Sequence, residues 1–131
     1  MKTVTKWIKK HEFESRQDHH SIQIDGSRIN AISPKALLLS ALAGCSGVDV
    51  VDILAKMRVD FTRLEIEVET TQTEETPKVF KDIHITYIIS TAKENEGKVK
   101  KAIDLSLEKY CGVSAMLQKN SDIDYKLLIK E

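Results

Sequence analysis

The stretch from Ser33 to Arg58, SPKALLLSALAGCSGVDVVDILAKMR, limits this chain more than any other. Ser33 ahead of Pro34 is a helix-start signal, because a hydroxyl caps free backbone N–H groups and a proline at the first helical position forfeits no hydrogen bond. From Leu37 to Leu54 apolar and small residues run nearly the whole way round, where a surface helix would keep a polar face. The pattern predicts a buried helix of roughly 24 residues, about 36 Å long. One small sheet covers one side of such a helix, so an obligate homodimer is expected, with the partner covering the rest. Two aspartates, two glycines and three serines interrupt the apolar run, which argues against a membrane span. At about 100° per residue Asp49 falls about 40° from Cys45, and Asp52 about 20° to the other side. One face of the helix therefore carries a thiol and two acids.

The segments around it alternate in type. Thr3 to Phe13 reads as a first strand around Trp7 and Ile8, and Ser15 to Ser21 as a polar loop. Ile22 and Ile24 alternate with Gln23 before Asp25-Gly26, which gives a second strand and a turn. Arg28 to Ile32 is either a short third strand or the approach to the helix. After Arg58 the period becomes two, with Leu64, Ile66, Val68 and Thr70 opposite Arg63, Glu65, Glu67 and Glu69. Beyond the polar cluster Gln72 to Lys78, the residues Val79, Ile83, Ile85, Tyr87 and Ile89 restore that period, so an antiparallel hairpin is expected, with Lys81 its odd member. Glu94 to Cys111 returns to a helical period, Gly112 ends or bends it, and Val113 to Lys119 forms a further short helix. Ile123, Tyr125, Leu127 and Ile129 supply a last strand. The order predicts an α+β layout with an antiparallel sheet and no serial βαβ units, in one domain spanning residues 1–131.

Twenty basic side chains balance twenty acidic ones, which removes the broad attraction that nucleic-acid binding depends on. No secretory signal stands near Met1, so a cytoplasmic location is expected, with neither membrane nor nucleic acid as partner. In that compartment two cysteines point to transient, chemical disulfides and away from a structural staple. The histidines at 11, 19, 20 and 84 lack metal-ligand spacing, so no metal and no cofactor are expected.

Cys45 lies mid-helix, and burial and neighbouring acids both work against its thiolate, so a reactive thiolate there needs an added cation. Arg16 is the first candidate, with Lys35 and Arg28 behind it; inert small-residue packing is the other reading of Cys45. Cys111 stands where two helical segments meet, and as cap of the second it would face the positive end of a helix dipole, which favours thiolate. A core cysteine beside a helix break is its alternative. Asp52 and Lys56, four apart with the acid first, make an ordinary helix ion pair, whereas Asp49 has no such cation. Glu65, Glu67 and Glu69 are expected on a solvated face, as are Asp104 and Glu108.

Taken together, Ser33-Pro34, Leu37-Leu38-Leu39, Ala43-Gly44-Cys45 with Asp49-Val50-Val51, and later Glu108-Lys109-Tyr110-Cys111 with Ser114 resemble the family of osmotically inducible protein C and organic hydroperoxide resistance proteins (OsmC/Ohr). The resemblance covers essentially the whole chain. It implies an α+β fold in which two chains intertwine, with long central helices packed together and sheets wrapped outside. It further implies a thiol peroxidase of peroxiredoxin-like chemistry acting on organic hydroperoxides in oxidative-stress defence. Cys45 would be the peroxidatic residue, Cys111 the resolving one and Arg16 the activator, with a dithiol or lipoyl-type reductant. The peroxidase branches carry an acid after the helix-starting proline, where this chain has Lys35, so the match is to a less characterised OsmC-like branch. A non-peroxidase member that binds a small apolar or thiol-reactive molecule at the dimer interface is the competing reading.

Overall fold

The protein is described by a computed structural model covering residues Met1–Glu131. The chain divides into two compact units, Met1–Leu39 and Ser40–Glu131.

The first unit is a three-stranded meander of β1 (Val4–Lys9), β2 (Glu12–Gln17) and β3 (His20–Asp25), paired in that order. The segment read as one strand, Thr3 to Phe13, is instead broken by a tight turn at Lys10-His11, where Lys10 takes a positive φ of 47°. A second turn at Asp18-His19, with Asp18 at φ 54°, replaces most of the expected polar loop. Arg16 therefore sits on β2, facing Val4 and Ser21, and not in a loop. Strand register puts Trp7, Phe13 and Ile24 side by side on one face, and Glu14, Arg16 and Gln23 on the other.

Asp25-Gly26 makes the expected turn, and Asp25 holds it together. Its buried carboxylate accepts backbone N–H groups from Ser27 (2.8 Å), Ile29 (3.2 Å) and Asn30 (3.0 Å). These bonds, Asn30's and Ser27's first, hold its carboxyl below the ordinary aspartate value. Arg28 to Ile32 forms no strand, only the turn and one bridge from Ile32 to Ile24. Helix α1 (Pro34–Lys56) starts as the sequence indicates, with Ser33 Oγ accepting the Ala36 N–H at 3.4 Å.

In the second unit β4 (Arg63–Gln72), β5 (Phe80–Ser90) and β6 (Asp122–Lys130) form a sheet with β5 in the centre. The β4–β5 hairpin is antiparallel, as expected. A bulge opposite Thr71-Gln72 takes Lys81 out of register, so Phe80 fills the core position in its place and Lys81 points to solvent. The purely antiparallel sheet is overturned by β6, which runs parallel to β5 from Asp82↔Asp122 to Ser90↔Lys130. Residues 91–121 supply the crossover that parallel strands need. They comprise a 3-10 turn (Lys93–Asn95), α2 (Glu96–Leu105), a π-helical turn (Ser106–Tyr110) and α3 (Gly112–Gln118), where the sequence suggested one helix to Cys111 and a second short one.

The core of this unit lies on the face formed by Ile83, Ile85, Tyr87 and Ile89, all essentially inaccessible. α1 covers it with the stripe Leu42, Ser46, Val50 and Leu54, and α2 with Val99, Ala102 and Ile103. At Gly47 a Cβ would come within 3.1 Å of Ile66 Cδ1, so glycine lets the helix approach β4 this closely. The expected burial of α1 on all sides is not met within one chain. Leu38, Val48 and Val51 remain 47%, 63% and 42% exposed. By length and composition α1 matches a membrane span, yet one of its faces carries Asp49 and Asp52, and its packed stripe is a core contact.

Candidate functional site

Two sulfur atoms from distant parts of the chain meet in the second unit. Cys45 comes from the middle of α1 and is half-buried; Cys111 follows the π-helical turn and is 3% exposed. The Cys111 thiol is pushed up from its ordinary value, first by burial and also by the neighbouring Cys45 thiol. Cys111 does cap α3, its Sγ accepting the Ser114 N–H at 3.3 Å. That contact lowers its pKa but is outweighed by burial, so the thiolate expected for a cap is not favoured. The buried Ser114 hydroxyl turns back to the Leu107 carbonyl at 3.1 Å, which links α3 to the π-helical turn.

Beside the thiols runs a chain of polar side chains through the core. Tyr87 OH and Ser46 Oγ are 2.6 Å apart, Ser46 Oγ and Ser106 Oγ 2.9 Å, and Ser106 donates to Asp49 Oδ2 at 2.9 Å. A carboxylate only accepts and Ser106 has one proton, so the chain is satisfied with Tyr87 donating to Ser46 and Ser46 to Ser106. Tyr87, Ser46 and Ser106 are fully buried. Burial pushes the Tyr87 phenol up to about 12 against the lowering effect of Ser46, and Cys111 and Asp49 add to the rise. Asp49, the acid without an in-helix cation, is thus met by a hydroxyl.

Asp49 also lines an open cavity of about 400 Å³ with Asp52, Lys56, Met57, Leu105 and Tyr110. The expected Asp52–Lys56 ion pair is not formed, whereas Arg16–Glu14, Arg63–Glu65 and His84–Asp124 are. Asp104, expected at the surface, accepts from Tyr125 OH at 2.7 Å.

Arg16 belongs to the first unit, where its Nε donates to Glu14 Oε1 at 2.8 Å. Glu14 also accepts from Gln23 Nε2 at 3.1 Å, and its carboxyl is held low chiefly by Arg16. Lys35 is an exposed residue in the first turn of α1. Ser46, Tyr87 and Ser106 were absent from the sequence-derived site. Each occupies a core-facing position of its element, and a hydroxyl there that must find a partner was the available signal.

Comparison with known proteins gives the family. The family model described as OsmC-like protein matches residues 25–126. The chain belongs to the OsmC-like family. This OsmC-like chain is 35% identical over 127 residues to protein YhfA of Escherichia coli K12, covering 95% of each. It superposes on the crystal structure of a hypothetical protein from Aquifex aeolicus with a TM-score of 0.84 at 28% identity, covering 99% of this chain and 97% of that one. An organic hydroperoxide resistance protein OsmC from Legionella pneumophila shares the fold, with a TM-score of 0.68 at 14% identity over 98% and 97% of the two chains.

Proposed function

We propose that this protein is a cofactor-free thiol peroxidase that reduces organic hydroperoxides. The observation that carries the reading is the meeting of a half-exposed Cys45 with a buried Cys111 whose thiol keeps its proton. Cys45, as thiolate, attacks one peroxide oxygen; the O–O bond breaks, the alcohol leaves after taking a proton, and Cys45 becomes a sulfenic acid. Cys111 then displaces the hydroxyl, which departs as water with the Cys111 proton, and a Cys45–Cys111 disulfide remains. A dithiol or lipoyl-type reductant returns both sulfurs to thiols by exchange. The asymmetry supports the roles, since the accessible sulfur meets the peroxide and the covered one waits.

Arg16 is proposed as the cation that favours the Cys45 thiolate. Its support is the Glu14 carboxylate, which holds the guanidinium as a helix acid would where this chain has Lys35. We also propose a homodimer, because the exposed Val48 and Val51 on α1 and the exposed Trp7 and Phe13 on the first sheet need cover. A cytoplasmic location, where thiols stay reduced between turnovers, completes the reading.

Cys45→Ser is expected to abolish thiol-dependent consumption of cumene hydroperoxide, and Arg16→Ala to slow alkylation of Cys45 by iodoacetamide at neutral pH. Equal, slow consumption by wild type and Cys45→Ser contradicts the peroxidase. A monomeric mass at micromolar concentration by sedimentation contradicts the dimer. The cavity beside Asp49 favours a second reading, a binding module for a small molecule. Thermal stabilisation by such a ligand, with no peroxide consumed, would select it.

A further inference from the structure

We propose that Ser106 is a positioning residue that sets the approach of Cys111 to Cys45, an inference that rests on the disulfide chemistry proposed above. Ser106 holds both sides of the thiol pair. Its carbonyl accepts the Cys111 N–H at 2.7 Å, the five-residue bond that closes the π-helical turn. Its hydroxyl reaches α1 at Ser46 and at Asp49, one residue and about one helical turn beyond Cys45, both at 2.9 Å. The backbone of one cysteine is thereby tied to the helical turn that carries the other.

The surrounding bonds satisfy the groups that the π-helical turn frees. In a regular α-helix the Cys111 N–H would bond to the Leu107 carbonyl. Here that carbonyl is released and taken up by Ser114 Oγ at 3.1 Å and Gln118 Nε2 at 3.3 Å, so no acceptor is left short. Tyr87 from β5 completes the chain at Ser46. Buried hydroxyls cost free energy unless paired, and leucine or valine would fill such a core without that requirement. Side chains that are satisfied in only one arrangement fix the register of α1 against the turn.

The step affected is the closure of the disulfide. The S–S bond forms, the S–O bond of the Cys45 sulfenic acid breaks, and the hydroxyl leaves with the Cys111 proton as water. A second hydroperoxide competes for the same sulfenic acid and gives a sulfinic acid. A misplaced Cys111 loses that competition.

The experiment treats reduced full-length protein with excess cumene hydroperoxide and reads the ratio of Cys45–Cys111 disulfide to Cys45 sulfinate by peptide mass spectrometry. Ser106→Ala is expected to lower the ratio, by up to about a hundredfold if the reacting sulfur shifts by about 1 Å. Ser46→Ala removes one of the two α1 contacts of Ser106 and should shift the ratio in the same direction by less. Ile83→Val destabilises the core away from the link, at the far end of β5 between Thr70 and Ile123, and should leave the ratio unchanged; a shift as large as that of Ser106→Ala would reduce Ser106 to a general packing role. Diamide, which closes thiol pairs without peroxide, separates this role from the peroxidase reading. Slower diamide closure in Ser106→Ala supports the positioning role even if no hydroperoxide is consumed, and closure at the wild-type rate overturns it.

Discussion

Cutting the buried hydroxyl chain in its middle should cost more than trimming its end. In Tyr87→Phe the ring and its edge-on contact with Tyr125 remain. Only the 2.6 Å bond to Ser46 is lost, which is worth about 1 kcal/mol for a neutral pair. In Ser106→Ala, Ser46 and the Asp49 carboxylate lose their 2.9 Å partner together. Two groups left short would cost about 2–6 kcal/mol, and because Asp49 borders an open cavity where water can replace the donor, the expected value is about 2–3 kcal/mol, toward the lower end. Urea unfolding at pH 7 and matched protein concentration measures both, provided the m-value is unchanged. The double variant should lose less than the sum, because Ser46 is shared. Equal single penalties, or strict additivity, would show that the hydroxyls do not act as a connected chain.

Three further outcomes follow from the titrating groups. Tyr87 has its pKa raised to about 12 from 10.0; its contribution is fully present below the unfolded value and is lost as pH rises from about 10 to 12. The stability gap between wild type and Tyr87→Phe should therefore narrow over that window, and a constant gap would contradict a buried neutral phenol. Asp25 has its carboxyl lowered by backbone N–H groups, so its contribution is present above the ordinary aspartate value and lost as pH falls through the lowered one. Amide exchange at Ser27, Ile29 and Asn30 should accelerate there ahead of the β2–β3 ladder, and unchanged protection would contradict the turn. His84 is raised chiefly by its hydrogen bond to Asp124 across β5 and β6. That contact is stabilising below the ordinary histidine value and fades as pH climbs through the raised one. Asp124→Asn should return the histidine titration, followed by NMR, toward 6.5; an unmoved curve would reject the pairing.

The elements legible in the sequence are those with a clean period. α1 begins at the Ser33-Pro34 signal, and β4 alternates as read from Leu64 to Thr70. The first hairpin was hidden because its turn uses Lys10 at positive φ, a conformation that lysine does not advertise as glycine or asparagine would. β2 was hidden because Phe13 is its only large apolar residue. The direction of β6 is not encoded in its alternation, which reads the same beside a parallel or an antiparallel neighbour; it is the length of the crossover that permits the parallel choice. At the site, the two cysteines and Asp49 stood out as ionisable groups on or beside helices. Ser46, Tyr87 and Ser106 did not, because each fitted the apolar stripe of its own element and only tertiary packing brings their hydroxyls together.

The most direct measurement is peptide mapping after reduced protein has met a stoichiometric amount of organic hydroperoxide. A single Cys45–Cys111 cross-link within one chain, formed as fast as the peroxide disappears and absent in Cys45→Ser, is the result expected. Peroxide loss with both thiols still free, or a cross-link appearing only between chains, would contradict a redox pair built from these two residues.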